Sequence, residues 1–129
     1  MRKLTLLTTL IFTVMFSSTS FAEWKKVTEN VKGTNYVDFE RIRKRDGYVY
    51  YWVLIDLFKP KEYGIFSRKM YKQGDCISFR YKDLSYSFHK ENMGEGTGPT
   101  KTPKNPEWRY PSPNSSIEIV LKSVCEYAN

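Results

Sequence analysis

Tyr48 to Phe58 is a dense run of apolar and aromatic residues that fills both parities of an extended chain. The odd positions are Val49, Tyr51, Val53, Ile55 and Leu57; the even ones are Tyr48, Tyr50, Trp52, Leu54, Asp56 and Phe58. Such a run predicts a central strand, covered on one side and half covered on the other. Asp46-Gly47 predicts a tight turn ahead of it, and Lys59 to Gly64 a loop behind it. Glu23 to Val27 is a first strand candidate, with Trp24 and Lys26 on one face. Gly33-Thr34-Asn35 predicts a turn into a short second strand, Tyr36-Val37-Asp38. Asp38 suits the cap of a single helical turn over Phe39–Ile42. A further strand is expected from Ile65 to about Lys72. From Ile77 the alternation Ile77, Phe79, Tyr81 changes phase to Leu84, Tyr86, Phe88, which predicts a bulge or bend near Lys82-Asp83.

The period changes from two to 3.6 at the C-terminus. Ile117, Val120, Leu121, Val124 and Cys125 fall at i, i+3, i+4, i+7 and i+8, one apolar stripe on a helix of about three turns. Ser115 and Glu118 have the spacing of a capping box, and Pro111 and Pro113 discourage an earlier start. A helix this short is marginal alone in water and must lie against something. Between the last strand and this helix, residues 91–114 hold five of the six prolines and three of the seven glycines. That composition predicts an irregular surface segment, pinned by Trp108 and Tyr110. Strands first and one helix last give an α+β class: a single antiparallel sheet with the C-terminal helix packed on one face.

At 129 residues the chain fits one domain. Residues 1–22 read as a secretory signal: Arg2 and Lys3, an apolar core from Leu4 to Phe16, and Ser20-Phe21-Ala22 as a small-x-small cut. The apolar run falls short of the ~20 residues of a membrane span. Residues 23–129 are then the exported domain, periplasmic or secreted, with no transmembrane segment after the signal. No cysteine follows the expected cut, so a lipoprotein is not expected. Export favours the oxidised state of the two cysteines, Cys76 and Cys125, as a disulfide fastening the helix to the sheet. Cys76 is out of phase with Ile77 and Phe79, so how that strand end meets the helix stays open. Two cysteines and the lone His89 do not make a zinc site; no metal or cofactor is expected.

The order Trp24, Tyr36-Val37-Asp38, Ile42, Gly47, Trp52-Val53-Leu54-Ile55-Asp56, Ser67, Tyr71, Asp75-Cys76, Met93-Gly94, Gly96, Trp108, Pro113-Asn114-Ser115-Ser116 and Cys125 resembles the bacterial surface-adhesin protein E-like domain family. The resemblance spans nearly all of residues 23–129. It implies an antiparallel sheet of about six strands, with the C-terminal helix on its concave side held by Cys76–Cys125. It also implies binding of matrix or envelope proteins, and it allows a homodimer.

Catalytic chemistry has little to work with. One histidine excludes a histidine pair, and a Cys/His nucleophile would need a thiol that the disulfide consumes. No catalytic residue is assigned, and the chain is read as a non-enzyme. The alternative is a small periplasmic hydrolase using carboxylates among Asp38, Asp56, Asp75 and Asp83. Gly94-Glu95-Gly96-Thr97-Gly98 lacks the ending of a phosphate loop. Basic clusters are the stronger candidates. Arg41, Arg43, Lys44 and Arg45, with Arg68, Lys69 and Lys72 on the next hairpin, form a candidate binding patch in a chain of net charge +7. A polyanion-binding protein using Arg41–Arg45 is therefore a further alternative, although nucleic acid is not an expected partner. Aromatic residues are 16% of the chain; Tyr48, Tyr50, Trp52, Phe79, Tyr81 and Tyr86 could line a binding face, a core or a dimer interface.

Overall fold

The computed structural model describes residues 22–129; the expected signal at 1–22 lies outside them except for Ala22. Seven strands form one antiparallel sheet: β1 (Lys25–Glu29), β2 (Gly33–Val37), β3 (Arg43–Arg45), β4 (Tyr48–Lys61), β5 (Ile65–Asp75), β6 (Arg80–His89) and β7 (Thr100–Lys101). The order across the sheet is β1-β2-β4-β5-β6-β7, and β3 pairs with β4. The helix α1 (Ser116–Ala128) follows last. The α+β class with a C-terminal helix is as read from the pattern. No helix among the described residues is long and apolar enough to cross a membrane.

β4 is central, as its two apolar parities required. Val49, Tyr51 and Val53 are buried under α1 with Val37 and Met70, and Val120, Leu121, Val124 and Cys125 of the helix stripe close this core. Each such side chain contributes about 1.5–3 kcal/mol on full burial. Gly74 lets the helix come close: a Cβ there would sit 2.9 Å from Val49 and 3.0 Å from Leu121. Cys76 and Cys125 are joined, Cα to Cα 5.7 Å, across 49 residues. Cys76 belongs to neither flanking strand. It lies in the β5–β6 turn, where the Asp75 carboxylate accepts the N–H groups of Ile77 and Ser78, both at 3.1 Å. The turn frees Cys76 from strand phase and leaves Ile77 outside the sheet and exposed.

Several boundaries differ from the sequence reading. Gly33-Thr34-Asn35 lies inside β2, not in a turn. The turn precedes it, because Asn30 Oδ1 accepts from the N–H groups of Lys32 and Gly33 at 2.8 and 3.2 Å. Gly33 instead permits close approach, since a Cβ would meet the Asp56 carbonyl oxygen. β4 runs through Lys59 and Pro60 to Lys61 rather than ending in a loop. The phase change in β6 is a bulge: Tyr71 pairs with Ser85 and Lys72 with Asp83, leaving Leu84 extra. Asp38 does not cap the turn at Phe39–Arg41; its Oδ2 is 3.3 Å from both the Glu23 backbone nitrogen and Arg41 Nε. The capping box is half formed. Ser115 Oγ accepts from the Glu118 N–H at 3.1 Å, but Glu118 Oε1 accepts from Asn114 rather than Ser115.

Candidate functional site

Strand alternation decides where each candidate cation goes. Arg43 and Arg45 pair with Tyr50 and Tyr48 and share the face away from α1, whereas Lys44 pairs with Val49 on the helix face. Lys44 Nζ there donates to the last-turn carbonyl of Ala128 at 2.9 Å, a favourable place for a cation. By the same parity Lys69 opposes Leu54 on the outer face, and Arg68 opposes Ile55 on the helix face. The seven cations therefore do not form one patch: Arg41, Arg43, Arg45 and Lys69 lie on one side, Lys44, Arg68 and Lys72 on the other.

Lys72 is not a surface residue. Its side chain is 3% exposed, and Nζ lies 2.9 Å from Asp83 Oδ1 and 4.4 Å from the Tyr81 ring centroid. Burial pushes its ammonium below the ordinary lysine value, with Asp83 opposing that shift. The Tyr86 hydroxyl donates to Asp83 Oδ2 at 3.1 Å. Burial raises the hydroxyls of Tyr51, Tyr81 and Tyr86 above the usual tyrosine range, and Asp83 adds to each shift. This polar cluster stands beside a cavity of about 490 Å³ under the first turn of α1.

The outer face carries a row of aromatic rings. Trp52 and Tyr71 are 4.8 Å apart and Tyr50 and Tyr71 6.2 Å. Arg45 lies 4.2 Å over Tyr50. Tyr48 meets Trp108 at 5.3 Å, and Arg80 and Lys82 sit 4.4 and 4.5 Å from the Trp108 ring. Trp108 reaches this row because the neighbouring Arg109 exchanges backbone hydrogen bonds with Tyr81 at 2.8 and 2.9 Å. The sequence marks Trp108 only as a pin of the irregular segment. Arg80 and Lys82 stacking there has no local signature, since that contact follows from a bridge 28 residues apart in number. The aromatic candidates divide as the cations do: Tyr48, Tyr50 and Trp52 lie outside, Tyr81 and Tyr86 face the cavity, and Phe79 packs on the core from the β5–β6 turn.

The four aspartates each serve a separate structural contact. Asp38 holds Glu23 and Arg41, and Asp75 holds its own turn and Arg80 at 2.9 Å. Asp83 holds Lys72 and Tyr86. Asp56 Oδ1 accepts from Met93 N–H at 2.7 Å and Asn92 Nδ2 at 3.0 Å, tying residues 92–94 to the outer face. His89 Nδ1 donates to the Gly96 carbonyl at 2.9 Å, and its Nε2 lies 2.8 Å from Ser87 Oγ. The glycine-rich segment is thereby a strapped loop. No group of three or more metal-ligating side chains occurs among the described residues.

The fold is similar to that of protein E of Haemophilus influenzae. One crystal form superposes with a TM-score of 0.60 at 18% identity, covering 86% of this chain and 94% of that one. A second structure of the same protein gives 0.58 at 18% identity over 84% and 87%. Protein E from non-typeable Haemophilus influenzae gives 0.57 at 16% identity over 85% and 79%. No curated protein matches the sequence. The family described as Surface-adhesin protein E matches residues 24–126, nearly the whole of the described chain. By that match the chain belongs to the surface-adhesin protein E family.

Proposed function

We propose that this chain is an exported, non-catalytic binding module that engages a protein of the matrix or envelope through its outer sheet face. The observation that carries the reading is the ring row Trp52–Tyr71–Tyr50 with Arg45 stacked on it. Tyr, Trp and Arg dominate the energetic centres of protein interfaces, because they combine large apolar area with directional polar contacts. Here Tyr50, Trp52 and Tyr71 are half-buried side by side on strands, so little of their rotamer entropy is left to lose on docking, and Arg45 is exposed above them. Family membership supports the same class of role. The basic residues Arg43, Arg45 and Lys69 on that side would favour an acidic partner and hasten encounter.

The test is a surface-binding assay of the domain starting at Glu23 against matrix proteins and envelope components. Saturable binding that drops by at least about tenfold in Trp52→Ala is the expected result, given hot-spot magnitudes of 2 kcal/mol or more, roughly. Absence of any saturable partner, or binding indifferent to Trp52→Ala and Tyr71→Ala together, would overturn it. A second copy of the chain is one candidate partner. Sedimentation of the wild type and Trp52→Ala distinguishes a homodimer through this face from a heterologous complex.

A further inference from the structure

The helix covers only part of its own sheet face. Beyond its first turn, a cavity of about 490 Å³ opens between Ser115–Ile117 and the floor formed by Tyr51, Val53, Ile55 and Leu57. A volume of that size lies in the range of small-molecule sites, roughly 300–1,000 Å³. The cavity shares Leu57, Lys61 and Arg68 with a more apolar trough of about 900 Å³ that adds Ile65, Phe88 and Pro99. Val53, Ile55 and Leu57 occupy alternate positions of one strand, an apolar strip of roughly 13 Å along the floor.

Charge around the cavity is one-sided. Lys61, Arg68, Lys72 and Arg109 line it with one acid, Asp83. Asp83 is already held by Lys72 and Tyr86. The ion pairs among the described residues include none of Lys61, Arg68 and Arg109. Arg68 and Arg109 both lie close enough to Lys72 to disfavour its charge, so the three cations share one field. Ser116 and Ile117, in the first turn of the helix, line the same space, and the N-terminal end of the helix adds positive potential there. Glu62 lines the trough, where Lys61, Lys90 and Lys101 outnumber it. Arg68 and Arg109, in no ion pair among the described residues, are thus set against an apolar floor.

We propose that the cavity and its trough bind a long-chain carboxylate, its head group held at the cations Arg68 and Arg109 and its chain laid past Ile55 and Leu57 toward Ile65 and Phe88. Guanidinium groups suit this role, since they pair with a carboxylate through parallel hydrogen bonds. A compact anion would leave the half-buried side chains of Ile55, Ile65 and Phe88 facing water, and a neutral chain would leave the cations unpaired. The site lies on the helix face and does not depend on the outer ring row.

The test is titration of the domain with decanoate below its micelle concentration, followed by backbone amide NMR, with acetate and decanol as separate arms. Decanoate should bind saturably, shift the signals of Ile55, Met70 and Tyr86, and exceed acetate and decanol by about tenfold each. Arg68→Gln/Arg109→Gln should lower decanoate affinity at least about tenfold, with the melting temperature unchanged. Ile55→Thr should weaken decanoate and leave acetate as it was. Decanoate binding no tighter than acetate identifies a plain anion site and overturns the proposal. Equal binding by the double variant at unchanged stability, or shifts confined to the outer face, overturns it as well.

Discussion

Lys72 Nζ and Asp83 Oδ1 lie 2.9 Å apart on paired positions of β5 and β6, with the lysine side chain 3% exposed and the aspartate 15%. Removing two such charges from water costs several kcal/mol, which attraction offsets only while both are present. Lys72→Met should therefore destabilise the domain by about 3–5 kcal/mol, because it strands Asp83. Lys72→Met/Asp83→Leu should recover most of that loss. Urea unfolding of the three proteins measures both; a double variant as unstable as the single would show that the pair stabilises outright.

Cys76–Cys125 closes a loop of 49 residues in sequence separation. In the chain-entropy description that constraint is worth roughly 4 kcal/mol through the unfolded state. Cys76→Ser/Cys125→Ser should show this loss in oxidising buffer, together with faster amide exchange in α1. A loss under ~1 kcal/mol would mean that the helix docks by its apolar stripe alone.

Ser115→Ala removes the acceptor of the Glu118 N–H and should cost about 1 kcal/mol, read as a drop in the thermal midpoint. Glu118→Gln should cost less, since its side chain bonds Asn114 rather than completing the box.

Acid stability should depend on Asp75. The Ser78 N–H, then Arg80 and the Ile77 N–H, hold its carboxyl below the ordinary value of 3.8 against the opposing effect of burial. A folded-state value below the unfolded one gives stability that is complete above about pH 4 and lost as pH falls through the folded value. The stability gap between wild type and Asp75→Asn should thus be constant near neutrality and shrink below about pH 4. Denaturant midpoints between pH 2 and pH 6 test it; a gap that widens in acid would contradict the assignment.

The sequence alone determines whatever depends on near neighbours in the chain. The helix stripe from Ile117 to Cys125, the Ser115 cap, the double-sided strand around Tyr51 and Trp52, and the break in phase at Leu84 are all local repeats or short spacings. Each is specified by backbone geometry over a few residues. The pairing of Cys76 with Cys125 was legible because no other cysteine competes.

The site was not legible in the same way. The cluster Arg43-Lys44-Arg45 looks like one patch in the sequence, yet successive strand residues point to opposite faces, and the pairing with Tyr50, Val49 and Tyr48 sends them apart. Lys72 looks like its neighbours Arg68 and Lys69, but only the register with β6 sets Asp83 opposite it and makes its burial tolerable. Arg109 and Trp108 reach the sheet through a bridge to Tyr81 that no local pattern encodes. Periodicity along one chain fixes which residues share an element and a face. Which charges meet, and which remain without a partner, depends on contacts between segments distant in sequence, and those exist only once the sheet is assembled.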